Sequence, residues 1–217
     1  AVTGGKSSDL ADSYKDIPII KINEIQAIGY GAKELYKIKD SSFIVVSCGT
    51  GTACVAYMNN EFEHLGGISV GGGTLQGLSN ILTGISDPKK IDELALQGSK
   101  SNLDVLIGEV VNDIGSLHAD VTASNFSKGR FNTNFKDADV ESSLSNMIGE
   151  VIGTISYLNA LLVGVKKIYF IGKVSLLDSV KDGIDKRLEL ANIEGKYNDL
   201  RGFGNVIGAI AYLNANT

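Results

Sequence analysis

The chain has no tryptophan, and only two each of cysteine, histidine, proline and methionine among its 217 residues. These scarcities exclude whole classes of chemistry. Cys48, Cys54, His64 and His118 are too few and too scattered for a zinc site or a disulfide framework. Both cysteines stand in apolar, strand-like surroundings and read as small buried hydrophobes in a reducing compartment. Lysine and arginine number 20 against 25 acidic residues, a net charge of −5, and no basic cluster stands out, which argues against nucleic acid as a partner. No apolar run approaches the about 18–20 residues of a membrane span, because the stretch 158–165 is broken by Asn159 and Gly164. The first residues lack the basic start and apolar stretch of a signal peptide, so a cytoplasmic protein is expected. Asn125-Phe126-Ser127 is a glycosylation sequon by letter only. Gly5-Lys6-Ser7 resembles the end of a Walker A loop, but the earlier glycine and the preceding strand are missing.

What is abundant is glycine, 26 of 217 residues or about 12% against an average near 7%. The glycines cluster at 49–51, 66–67 and 71–73, where they permit close backbone approach. Apolar residues make up 43% of the chain and charged ones 21%, an ordinary globular balance. Patterning predicts strands at 17–22, 43–47, 52–58 and 61–65, the last three forming an antiparallel meander closed by Asn59-Asn60. Helices are predicted over 24–36, 71–83, 88–97 (capped by Asp87, with Pro88 at its first position) and about 103–114. After a polar loop at 120–134, the stripe Leu144, Met147, Ile148, Val151, Ile152, Ile155, Leu158, Leu162 marks a long helix over about 140–162. A buried strand at 167–172, a helix at 176–191, a short strand near 193–197 and a helix at 204–214 complete an α/β pattern.

Three places could carry chemistry. Gly49-Thr50-Gly51-Thr52 joins two strands, so its backbone amides and the hydroxyls of Thr50 and Thr52 could face an anion; a plain glycine hairpin is the alternative. Gly71-Gly72-Gly73-Thr74 precedes a helix, where unpaired amides and the helix dipole favour phosphate. Glu24 opens the first helix after a strand and could accept a proton from a substrate hydroxyl, or simply serve the helix terminus.

Asn23-Glu24-Ile25, Cys48–Thr52, the run Leu65–Leu78 with its glycines, Asp120–Phe126, Ile148–Val151, Ile168–Gly172 and Gly204–Ala209 together resemble the type II (eukaryote-like) pantothenate kinases, in order along nearly the whole chain. The resemblance implies an actin-like, ribonuclease-H-like α/β fold that uses ATP with Mg2+ to phosphorylate pantothenate to 4'-phosphopantothenate, the first step of coenzyme A synthesis. It implies that Glu24 is the catalytic base. Gly49, Thr50, Gly51 and Thr52 fall on a phosphate-binding turn, and Gly71, Gly72, Gly73, Thr74, Leu75 and Gln76 on the ATP-binding segment, joined by Lys173. His64 and Thr122 fall at the pantothenate site, the long helix falls in a homodimer interface, and CoA or acyl-CoA is a further implied ligand.

By the same resemblance, residues 1–42 are the remainder of an N-terminal lobe and residues 43–217 a C-terminal lobe with a helical insertion at about 74–165. The family's first strand and its Asp-x-Gly-Gly-Thr phosphate loop are not in this sequence, so the fold is expected to be N-terminally incomplete, with no metal ligand in the chain and little activity in the chain alone. Two further departures are His64 where an arginine is common, and Lys173 where the bacterial pattern has serine; a neutral histidine holds an anionic substrate less firmly. Another actin-like small-molecule (sugar) kinase and a non-catalytic acyl-CoA-binding pseudokinase remain open as alternatives.

Overall fold

The computed structural model describes residues 1–112 and 118–216. A small hairpin, β1 (Ser13–Tyr14) and β2 (Ile17–Pro18), comes first, and a separate, isolated parallel bridge joins Val2 to Lys21; of the strand expected over 17–22 only β2 and this bridge form. Helix α1 (Glu24–Tyr36) has the bounds read from sequence, because Asn23 Oδ1 accepts from the amides of Ile25 at 2.9 Å and Gln26 at 3.4 Å and so caps it. The meander follows as β3 (Phe43–Cys48), β4 (Thr52–Met58) and β5 (Glu61–Ile68).

Helices α2 (Gly72–Thr83) and α3 (Pro88–Ala95) come next, then β6 (Val105–Leu106), the short α4 (Ile107–Val110) and β7 (Thr122–Ser124). The helix expected over 103–114 is thus replaced, up to residue 112, by a strand that pairs with β7 and one helical turn; its end at 113–114 lies outside the described residues. The expected loop at 120–134 likewise holds β7 and a 3-10 turn at Ser127–Arg130. The long helix α5 (Asp137–Val163), β8 (Lys167–Ile171), α6 (Asp178–Glu189), β9 (Glu194–Tyr197) and α7 (Gly204–Asn216) complete the chain.

The main sheet has the order β5-β4-β3-β8-β9, antiparallel across the meander and parallel from β3 to β8 to β9. Every residue of β3 is buried, as a central strand covered on both faces requires. Its alternate residues divide between two cores. Ile44, Val46 and Cys48 join Leu144, Ile148 and Ile152 of α5, whereas Phe43 and Val45 join Ile28 and Ala32 of α1. Residues 24–38 therefore share the core of the sheet, and α1 packs closely on α7. α5 likewise forms one wall of the sheet's core.

α5 is, by length and composition alone, long and apolar enough to cross a bilayer, which the residue-by-residue reading of apolar runs did not anticipate. Its fully buried Leu144, Ile148 and Ile152 are instead core residues. Each contributes about 1.5–3 kcal/mol, which outweighs the roughly 1 kcal/mol each that Gly149 and Gly153 cost inside a helix. Those glycines let α6 approach: a Cβ on Gly149 would meet the Val180 carbonyl at 2.2 Å. Gly149→Ala should accordingly lower stability by about 2–3 kcal/mol in chemical denaturation. A loss below about 0.5 kcal/mol would contradict the crossing of α5 and α6.

Candidate functional site

The carboxyl ends of the two parallel strands β3 and β8 open onto one cleft of about 610 Å³. It is lined by Ser47, Gly49 and Thr50 after β3, Gly72, Gly73 and Gln76 at the start of α2, Gly172, Lys173 and Val174 after β8, and Gly202, Asn205 and Val206 at the start of α7. Ligand sites of open α/β sheets lie in this position, beyond the carboxyl ends of the strands.

The two glycine bends do converge, but not as free amides. Gly72 N–H donates to the Gly49 carbonyl at 2.8 Å, Gly73 N–H donates to the Thr50 carbonyl at 2.9 Å, and Gly49 N–H donates to Gly51 O at 2.9 Å. The amides of Gly49, Gly72 and Gly73 thus shape the bends and hold them to each other. The Thr52 hydroxyl is also engaged, donating to Val70 O at 2.8 Å, and Thr52 is buried. Thr74 donates to Ser69 O at 3.0 Å, and Gln76 Nε2 to Gly72 O at 3.2 Å. Leu75 is wholly buried in the core. Gly51, Thr52, Gly71, Thr74 and Leu75 therefore support the cleft from behind its lining, while Gly49, Thr50, Gly72, Gly73, Gln76 and Lys173 face it.

Close packing explains the residue types. A Cβ on Gly71 would lie 2.8 Å from Thr50 O, and one on Gly73 would lie 2.9 Å from Thr50 Cγ2. Gly172 has φ +95°, and a Cβ there would lie 2.3 Å from the Cys48 carbonyl, so neither the backbone conformation nor the space admits a side chain. Cys48 and Cys54 are buried beneath this floor, and burial pushes both thiols up, Cys54 to about 11, so neither is a nucleophile.

Glu24 is the first residue of α1 and exposed, and His64 is exposed on β5 beside a bulge at Cys54/Val55; neither lines the cleft. Thr122 lies in a different polar centre against α5. Its hydroxyl accepts from Lys100 Nζ at 3.3 Å and Asn146 Nδ2 at 3.1 Å, and its carbonyl from Arg187 at 3.4 Å. Arg187 also pairs with the buried Glu150 at 3.2 Å. Burial holds the Lys100 ammonium below its ordinary pKa, and the nearby Lys186 adds to the shift.

Sequence reasoning missed Gly172, Gly202, Asn205 and Val206 as cleft residues, and Lys100, Asn146, Glu150 and Arg187 around Thr122. A glycine directly after a buried strand was the available signal for Gly172. The polar residues Asn146 and Glu150, flanking the apolar stripe of α5, were the signal for the second centre. Asn205 is notable because its Oδ1 is buried without a hydrogen-bond partner while the residue lines the cleft.

Comparison with known proteins gives this geometry a family. Residues 9–178 match the Fumble family. The type II pantothenate kinase of Bacillus cereus (strain AH820) is 30% identical over 230 residues, covering 97% of this chain and 79% of that protein. Pantothenate kinase 2 of Arabidopsis thaliana is 31% identical over 204 residues, 79% of this chain and 23% of that much longer protein. Among solved structures, the activator of the 2-hydroxyisocaproyl-CoA dehydratase from Clostridium difficile with bound ADPNP superposes with a TM-score of 0.64 at 14% identity, over 99% of this chain and 72% of the other. A putative N-acetylmannosamine kinase from Listeria monocytogenes gives 0.55 at 12% identity, over 93% and 67%. At such identities these two show the fold alone, the actin-like ATPase fold. The chain belongs to the Fumble family, that of the type II pantothenate kinases.

Proposed function

We propose that the protein transfers the terminal phosphoryl group of ATP to the primary hydroxyl of pantothenate, forming 4'-phosphopantothenate at the start of coenzyme A synthesis. One observation carries the nucleotide half of this reading. The bend after β3 and the start of α2 are joined by backbone hydrogen bonds into one wall of a cleft that Lys173 also lines. A neighbour of the same fold was solved with ADPNP bound. The acceptor half rests on family membership, which favours pantothenate over the sugars of other actin-like kinases.

In this reading the triphosphate lies along Gly49–Thr50 and Gly72–Gly73, with Lys173 as its cation. Catalysis is then positioning and charge stabilisation around the transferred group, as phosphoryl transfer generally requires. Among the described residues no cluster of three or more His, Cys, Asp or Glu could hold a metal, and the cleft lining offers hydroxyl, amide and carbonyl oxygens but no carboxylate. Mg2+ would be carried by the nucleotide's own phosphates. Glu24, exposed at the start of α1, accepts the proton of the pantothenate hydroxyl; His64 and Thr122 lie at the acceptor side.

The reading extends to the assembly and to the compartment. α5 leaves Val151, Leu158, Leu161 and Leu162 exposed along one side, at 38, 50, 53 and 77%. A second copy of the chain is the occupant proposed for this stripe. Free, buried cysteines suit a reducing cytoplasm. CoA or an acyl-CoA, carrying the same pantetheine and adenosine diphosphate chemistry, is proposed as a ligand of the cleft.

Five outcomes test this reading. Glu24→Gln should leave AMPPNP affinity unchanged while lowering pantothenate turnover by about 10²–10⁴-fold, the usual worth of a positioned base; undiminished turnover removes Glu24 from the chemistry. Lys173→Met should raise the KM for ATP by about tenfold through loss of one charge-assisted contact, with the KM for pantothenate little moved. In light scattering, the wild-type chain should be a dimer and Leu162→Glu a folded monomer; a wild-type monomer at tens of micromolar would refute the proposed interface. Phosphorylation of N-acetylhexosamines but not pantothenate would overturn the substrate, and acetyl-CoA binding without any phosphorylation would mark a regulator.

A further inference from the structure

The far wall of the cleft is made of two segments distant in sequence, and one buried side chain joins them. Arg201 is only 8% exposed. Its Nε and one terminal nitrogen donate to the Ser175 carbonyl at 3.1 and 2.9 Å, and the other terminal nitrogen donates to the Asn198 carbonyl at 3.0 Å. Among the described residues no carboxylate lies within ion-pair distance of it. The face of the Tyr197 ring lies 5.5 Å from the guanidinium carbon.

The contacts close a ring. Gly172 N–H donates to the Arg201 carbonyl at 2.9 Å, the Arg201 side chain donates to the Ser175 carbonyl, and the Ser175 hydroxyl donates to the Gly172 carbonyl at 2.7 Å. The Asn198 end is anchored independently, since its backbone N–H donates to the Tyr36 hydroxyl at 2.9 Å and its side chain to Leu35 O at 3.1 Å.

Burying a guanidinium among carbonyls, with no counter-ion, is costly, and packing alone would be better served by an apolar side chain of similar volume. What the guanidinium adds is a rigid planar fork that fixes the separation of two backbone carbonyls. Those carbonyls belong to the segments that present Gly172, Lys173 and Val174 on one side of the gap and Gly202, Asn205 and Val206 on the other.

We infer that Arg201 is a positioning residue for the nucleotide: it sets the spacing between the turn after β8 and the entry of α7, so that Lys173 and Asn205 face one ligand. This rests on the nucleotide reading of the cleft. Arg201 itself does not line the cleft, and its effect runs through the two turns.

Calorimetry with the non-hydrolysable analogue AMPPNP tests it on the full chain, with ATP and pantothenate kinetics alongside. Arg201→Met should fold and bind AMPPNP about 10–100-fold more weakly, the scale of a misplacement of about 1 Å. Turnover at saturating ATP should stay within about threefold, and so should the KM for pantothenate, because only nucleotide binding is lost. Arg201→Lys keeps the charge without the fork and should fall between the two; it is read alone where the methionine variant does not fold. Wild-type protein that binds no AMPPNP removes the nucleotide reading and the inference together. Wild-type binding with unchanged affinity in the folded variants removes the inference alone, as does an equal loss for both substrates, the mark of a merely structural role.

Discussion

Two backbone hydrogen bonds, Gly72 N–H to Gly49 O and Gly73 N–H to Thr50 O, set the geometry of everything around the cleft. They exist because Gly71, Gly72 and Gly73 carry no side chain where they meet Gly49 and Thr50. With them in place, the first turn of α2 cannot move independently of the end of β3. The Thr52 hydroxyl on Val70 O ties the opposite edge of the same bend. A helix terminus held in this way costs little reorganisation when a charged ligand arrives, which is the condition for effective electrostatic stabilisation.

The sheet order decides what this wall can face. β3 and β8 are parallel neighbours, so Cys48 and Ile171 end at the same edge of the sheet and the turns that follow them emerge side by side. Gly172 then passes so near the Cys48 carbonyl that any other residue would force the two turns apart. One wall is therefore built from β3 to α2 and the other from β8 to α7. Backbone bonds join the first, with the Thr52 hydroxyl beside them; in the second the Arg201 side chain adds to the backbone bond from Gly172 N–H to Arg201 O.

That difference also explains what could be read from the sequence. Asn23 before Glu24, the continuous apolar run of β3 and the Asn59-Asn60 turn are local signals, and the meander and α1 follow from them almost residue for residue. The glycine bends were legible as a convergent pair, but which atoms they offer was not, because whether an amide is free depends on a carbonyl twenty-odd residues away. Arg201 and Asn205 carry no local signature; one is defined by carbonyls at Ser175 and Asn198, the other by its place on the cleft wall. The stretch 103–112 failed for a related reason. Its apolar residues suit a helix by spacing, yet Val105 and Leu106 pair with β7, a partner that periodicity cannot name.

The polar residues of α5 complete the same logic. Burial of Leu144, Ile148 and Ile152 drives the helix onto the sheet but does not fix its rotation, because apolar contact has no direction. Polar pins do. Asp139 accepts from the Ser99 amide at 2.8 Å, Glu141 from the hydroxyls of Ser79 at 2.6 Å and Thr83 at 2.5 Å, Ser143 bonds Asp104, and Glu150 holds Arg187. Burial pushes the Asp104 carboxyl above its usual range, while the hydrogen bonds from Ser143 and the Phe126 amide work the other way. With four polar residues making contacts of fixed direction along its first half, α5 has one rotational setting. That setting at once turns Asn146 toward Thr122 and leaves Leu158, Leu161 and Leu162 outward. The contact from Asn146 to Thr122 and the exposed apolar stripe are thus two consequences of a single buried polar arrangement, even though they arise at different points of the helix.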